Sequence, residues 1–118
     1  MKLFPLFSIG LLGLIFTTSG AAIATPEIAS GDRRLGTDLE GCLLRVDTYI
    51  DTLDIQILRG EIDRTGYFND GAFRILCYPD PYAEDETSLA VIFAAHDSDP
   101  EVAATFVQVA LNNLAEQP

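Results

Sequence analysis

From Thr37 onward, apolar residues recur at three- and four-residue steps: Leu39, Cys42, Leu43, Val46, Ile50 and Leu53, with Asp38, Glu40, Arg45, Asp47 and Asp51 falling between them. That period is helical, and it predicts an amphipathic helix over residues 37–53 with Cys42 in its buried stripe. Thr37 and Glu40 have the spacing of a capping box, in which each side chain answers an orphan backbone N–H of the first turn. Asp38 and Glu40 also suit the positive end of the helix dipole. The period then drops to two. Ile55 and Ile57 flank Gln56 in a short strand over 54–59, and Phe73, Ile75 and Cys77 share one face of a strand over 72–78. Between them, Ile62, Tyr67 and Phe68 keep no clean period, as expected of a turn plus a continuation of the strand. Asn69-Asp70-Gly71 supplies hairpin-turn chemistry.

Residues 79–86 hold Pro79, Pro81 and four acidic side chains, which makes them a solvated loop. Residues 88–95 are almost continuously apolar, the mark of a buried central strand. Asp99-Pro100-Glu101 then opens a second helix: Asp99 caps it, Pro100 sits where a missing N–H does no harm, and Glu101 complements the dipole. Val102, Phe106, Val107, Ala110, Leu111 and Leu114 form its stripe, running to about residue 116. Short links between successive strands imply antiparallel pairing, because a parallel pair needs a long crossover. The expected fold is therefore α+β, a two-layer sandwich with an antiparallel sheet of about three strands and both helices on one face.

Ahead of this domain, Lys2, the uncharged apolar run Leu3–Phe16 and the small-x-small triplet Ala22-Ile23-Ala24 have the pattern of an export signal cut after Ala24. The apolar run is short for a bilayer span, and no cysteine stands at the cut to take a lipid. The expected division is a signal peptide at 1–24, a flexible lead at 25–36 and one small domain at 37–118. Export to a secreted or periplasmic space exposes Cys42 and Cys77, the only cysteines, to oxidising conditions, where an even pair forms a disulfide. They lack the two-residue spacing of a reactive dithiol, and only His96 could join their two thiolates on zinc.

The 118 residues include 18 acidic and 7 basic ones, a formal net charge of −11. Such a chain lacks the clustered cations that phosphate contacts need, which excludes nucleic acid as a partner. The same charge argues against an anionic membrane surface once the leader is gone, and in favour of a soluble monomer.

Catalytic chemistry is not marked. His96 is followed directly by Asp97 and Ser98, and neighbours in a strand point to opposite faces, so these three cannot form a nucleophile-base relay. Carboxylates are too abundant for any pair to stand out as an acid/base couple. Calcium is the best-motivated ion, with one candidate cluster at Asp80, Glu84, Asp85 and Glu86 and another at Asp97 and Asp99. Neither follows a known calcium loop, and solubility together with helix capping accounts for both. No catalytic residue, metal ligand or cofactor is assigned.

One segment gathers aromatics, prolines and acid without an evident core role: Tyr78-Pro79-Asp80-Pro81-Tyr82. Stiff exposed aromatics make contact anchors, so Tyr78, Asp80, Tyr82 and Glu84 are the candidate partner-binding residues. The functional expectation is a small, acidic, exported, non-enzymatic binding protein of the accessory or inhibitor kind, acting on an unidentified protein partner. The alternatives are a small secreted calcium- or ligand-binding protein and a hydrolase with an unmarked site.

Overall fold

A computed structural model describes residues 27–118. The expected leader and its cut lie outside the described residues. Strand β1 (Ile28–Leu35) is followed by helix α1 (Leu39–Asp51), strands β2 (Gln56–Arg59), β3 (Asp63–Phe68), β4 (Gly71–Pro79) and β5 (Ser88–His96), and helix α2 (Pro100–Glu116). The five strands form one antiparallel sheet in the order β1-β5-β4-β3-β2, and both helices pack on one of its faces. The α+β class and the antiparallel pairing are as expected. The strand count is five rather than three.

Two strands account for that difference. Residues 28–35, expected to be a flexible lead, form an edge strand paired along its whole length with β5, from Ile28 opposite Ala95 to Leu35 opposite Ser88. Residues 63–68 make a full strand of their own between β2 and β4 rather than a continuation of β2. The Asn69-Asp70 turn joins β3 to β4 as a tight hairpin, with Phe68 opposite Gly71.

Alternation along each strand sorts the side chains between two faces. Toward the helices point Leu35 of β1, Phe73, Ile75 and Cys77 of β4, and Ala90, Ile92 and Ala94 of β5, all buried. α1 contributes Cys42, Val46, Tyr49 and Ile50, and α2 contributes Ala103, Val107, Ala110, Leu111 and Leu114. Within the α2 stripe, Val102 is exposed and Ala103 takes its place inside. Phe73 and Phe106 pack tilted at 31° with ring centroids 4.5 Å apart, and Phe68 and Tyr49 close the cluster at about 6 Å from Phe106.

The helix starts follow cap chemistry. Asp38, not Thr37, caps α1, its Oδ1 accepting from the Gly41 N–H at 2.8 Å. Asp99 caps α2 as expected, accepting from the Glu101 N–H at 3.0 Å, with Pro100 in the first turn. Two arginines then tie elements together, one joining the sheet to α1 and the other joining the two helices. Arg64 on β3 grips both carboxylate oxygens of Asp47 on α1, at 2.7 and 3.2 Å, and also donates to the carbonyls of Gly60 and Asp63. Arg45 on α1 donates to the Leu114 carbonyl near the end of α2 at 3.0 Å, and the Gln117 amide returns a bond to the Arg45 carbonyl.

Cys42 and Cys77 form a disulfide across the core, both sulfurs fully buried, with Cα atoms 6.1 Å apart. Replacing both cysteines with alanine opens a cross-link over 35 residues and is expected to lower the unfolding free energy by about 3 to 4 kcal/mol, read from urea unfolding. A second expectation concerns Gly31, where α2 lies so close to β1 that a Cβ would stand 2.9 Å from both Leu111 Cδ1 and Val107 Cγ1. Gly31→Val should cost about 1 to 3 kcal/mol by the same measurement, whereas Ser30→Val, on the other face of the strand, should be tolerated.

Candidate functional site

The face of the sheet away from the helices has no covering layer among the described residues. Register places Ile28, Ala95, Ala72 and Tyr67 in one row across it, Ser30, Phe93, Arg74, Thr65 and Leu58 in the next, then Asp32, Val91, Leu76 and Asp63, and finally Arg34, Leu89 and Tyr78. Among these, Ile28 is 70 % exposed, Leu58 53 %, Tyr67 46 % and Phe93 44 %. Elsewhere the large exposed apolar side chains, such as Leu44 on α1 and Val102 and Val109 on α2, are scattered along the outer helix surfaces. Isolated exposed apolar residues are ordinary, whereas a contiguous patch marks a contact surface.

A shallow trough of about 360 Å³ runs across this open face, walled by Ile28, Thr65, Tyr67, Arg74, Phe93 and Ala95. Arg74 lies over it with its Nε donating to Thr65 Oγ1 at 2.9 Å and standing 3.9 Å from Asp63. The charged residues of the face are two arginines, Arg34 and Arg74, and two aspartates, Asp32 and Asp63. Their signs cancel, unlike those of the chain as a whole.

The Tyr/Pro loop sits at one corner of this face. Tyr78 belongs to the face itself, 38 % exposed beside Leu89 on β5, and Tyr82 projects from the loop at 88 % exposure. Glu84 is also exposed. Asp80 is different: it is buried, and the expectation that it meets a partner gives way to an internal role. One carboxylate oxygen accepts from the Tyr82 N–H at 3.0 Å, and the other is held by the Arg34 guanidinium on β1. Its backbone N–H pairs with the Thr87 carbonyl, closing the loop onto itself. The Tyr82 N–H above all, and then Arg34, hold the Asp80 carboxyl below the ordinary range for aspartate, outweighing the opposing effect of burial. Three of the four expected contact residues are thus displayed at the surface, and the fourth locks the loop that displays them.

Sequence reasoning placed both helices on one face of the sheet but took no contact surface from the other, because the apolar run over 88–95 reads as a buried central strand. Helices cover only one side, so Leu89, Val91 and Phe93 face outward.

The remaining candidates do not assemble into a site. His96 ends β5 with its Nδ1 accepting the backbone N–H groups of Ser98 and Asp99, at 3.2 and 2.9 Å, as a brace for the turn into α2. Among the described residues, no three His, Cys, Asp or Glu side chains converge as a metal would require. Compared with protein-family models, curated proteins and solved structures, the chain matches none.

The depressed Asp80 carboxyl has a signed consequence. Its contribution to stability is present above the unfolded aspartate value of about 4 and is lost as pH falls through the lower folded value. Asp80→Asn is therefore expected to melt several degrees below the wild type at pH 7. The difference between the two proteins should shrink in thermal melts toward pH 2.5.

Proposed function

We propose that this protein is a non-enzymatic binding module that works in an exported space and meets another protein through its open sheet face, with the Tyr82 loop extending that surface at one corner. The observation that carries this reading is the group of large exposed apolar side chains on one sheet face, Ile28, Tyr67, Phe93 and Leu58, set around Arg74 and Thr65, which a two-layer fold leaves facing solvent. Aromatic side chains dominate the patch and the loop beside it, as in the anchor regions of protein interfaces. The buried disulfide is compatible with an oxidising compartment, and no helix among the described residues is long and apolar enough to cross a membrane. The use of His96 Nδ1 as a turn brace supports leaving that imidazole out of a catalytic role.

The test is affinity capture from the exported fraction, comparing the wild type with Phe93→Arg, which places a charge in the middle of the patch, and with Val109→Arg, which places one on the outer surface of α2. Proteins retained by the wild type and by Val109→Arg should be lost with Phe93→Arg. Identical sets from all three would remove the open face as a contact surface.

A further inference from the structure

We infer that the occupant of the open face is a second copy of this chain, so that the protein is a symmetric dimer with two sheets packed face to face. This rests on the reading of that face as a contact surface and goes further by naming what covers it. It also replaces the monomer expected from net charge.

Three observations select a copy of the same chain. The first is charge. The chain carries −11 overall, and a copy approaching the helix layer or the loops meets a field of its own sign. The open face carries little of that excess: Arg74 stands beside Asp63 and Arg34 is taken up by Asp80 of the loop, which among the described residues leaves Asp32 as its one charge without an ion pair. A strongly basic partner would find little to attract it there, whereas an identical face meets far less repulsion than any other approach and carries both signs for self-complementary pairing.

The second is area. The strands hold 8, 4, 6, 9 and 9 residues, and each residue covers about 3.3 by 4.8 Å of sheet plane. The face therefore offers roughly 600 Å² per copy and about 1,200 Å² for a pair, which reaches the range of a specific interface. Two twisted sheets pack this way at about 10 Å separation, with their inner side chains interdigitated. Phe93, Tyr67, Ile28 and Leu58 supply the protruding side chains, and the Arg74-walled trough supplies the concavity.

The third is the condition of the sheet edges, the other route by which strands associate. β2 is only four residues long and is followed by Gly60 and Glu61. β1 carries Asp32, Arg33 and Arg34 in succession. Short and charged edges discourage strand addition, so the face rather than the rim is left for contact.

Sedimentation equilibrium of the purified protein, with and without residues 1–24, tests this. The expected result is a dimer at micromolar concentration whose dissociation constant rises at least ~30-fold in Phe93→Arg and is unchanged in Val109→Arg. Salt should leave the wild-type dimer intact or tighten it, since screening relieves the overall repulsion. Leu58→Glu, in the same row of the face, repeats the test should Phe93→Arg fail to fold. A monomer at all concentrations overturns the inference. If that monomer still loses its captured partner with Phe93→Arg, the binding reading survives with a different protein on the face. If removing residues 1–24 uncovers a surface that binds an apolar dye, the occupant is the leader. A dimer that dissolves with Val109→Arg and persists with Phe93→Arg and Leu58→Glu also overturns it, by placing the contact on the helix layer.

Discussion

The cross-link between Cys42 and Cys77 fixes where α1 lies, and the position of α1 decides what room remains in the helix layer. Both sulfurs are fully buried between the first turn of α1 and the inward face of β4, so the helix is held over the β4 and β5 side of the sheet. α2 must then cover β5 and β1. It does so at close range because β1 presents Ala29 and Gly31 there, with Val107 and Leu111 filling the space a larger side chain would need. In a domain this small the hydrophobic core alone provides limited stability, and a cross-link between the layers constrains the unfolded chain where the packed area falls short.

Polar contacts complete what the disulfide begins. Asp47 accepts a two-pronged bond from Arg64 and lies 3.6 Å from Arg59, so the end of α1 away from its cap is tied to β2 and β3, which the core contacts of α1 scarcely reach. A planar guanidinium suits this task because its fork matches the carboxylate and its remaining donors reach the Gly60 and Asp63 carbonyls without bending. Arg34 performs the corresponding task at the opposite corner, joining β1 to the loop after β4 through Asp80. Among the described residues the only basic side chains besides His96 are arginines, and several of them serve as clamps between elements distant in sequence.

Much of this was legible in the sequence where a period and a cap coincided. α1, β4, β5, α2 and the disulfide follow from apolar spacing, turn residues and the compartment implied by the leader. β1 was not legible because only Leu35 of its inward positions is a large apolar residue: Ala29 and Gly31 are small and Arg33 is charged, so no apolar alternation appears, and the reason for the small pair, the closeness of α2, is tertiary. β3 was hidden for a related reason. Ahead of Phe68, its inward positions are Arg64 and Gly66, an ion-pair clamp and a glycine lying under the Phe73 ring, neither of which reads as core, so a single apolar residue shows no period. Asp80 looked like a surface acid because nothing in its neighbourhood of the chain announces Arg34, 46 residues away. The open face was implied by placing both helices on one side of the sheet, but its outward side chains were not legible as a surface because an uninterrupted apolar run reads as buried; the two helices of the described residues are directed to that one side by the disulfide and Gly31.

Net charge is a single number, and the structure shows how little it says about any one surface. The acidic residues of this chain lie mainly on the outer sides of the helices, at the helix starts and in the loops, where they cap, solvate or pair with arginine. The open face received almost none of that excess. Its large apolar side chains, Ile28, Tyr67, Phe93 and Leu58, are interleaved with Ser30, Thr65 and Arg74, and of its few charges Arg74 stands beside Asp63 while Arg34 is taken up by Asp80 of the loop. A field that keeps other parts of two molecules apart thus has a gap where the side chains are most able to gain from leaving water. The same segregation gives the gap its orientation: acid around the rim penalises misaligned approaches, while the balanced centre permits the aligned one, so the distribution of charge selects a geometry that the total charge would have been taken to forbid.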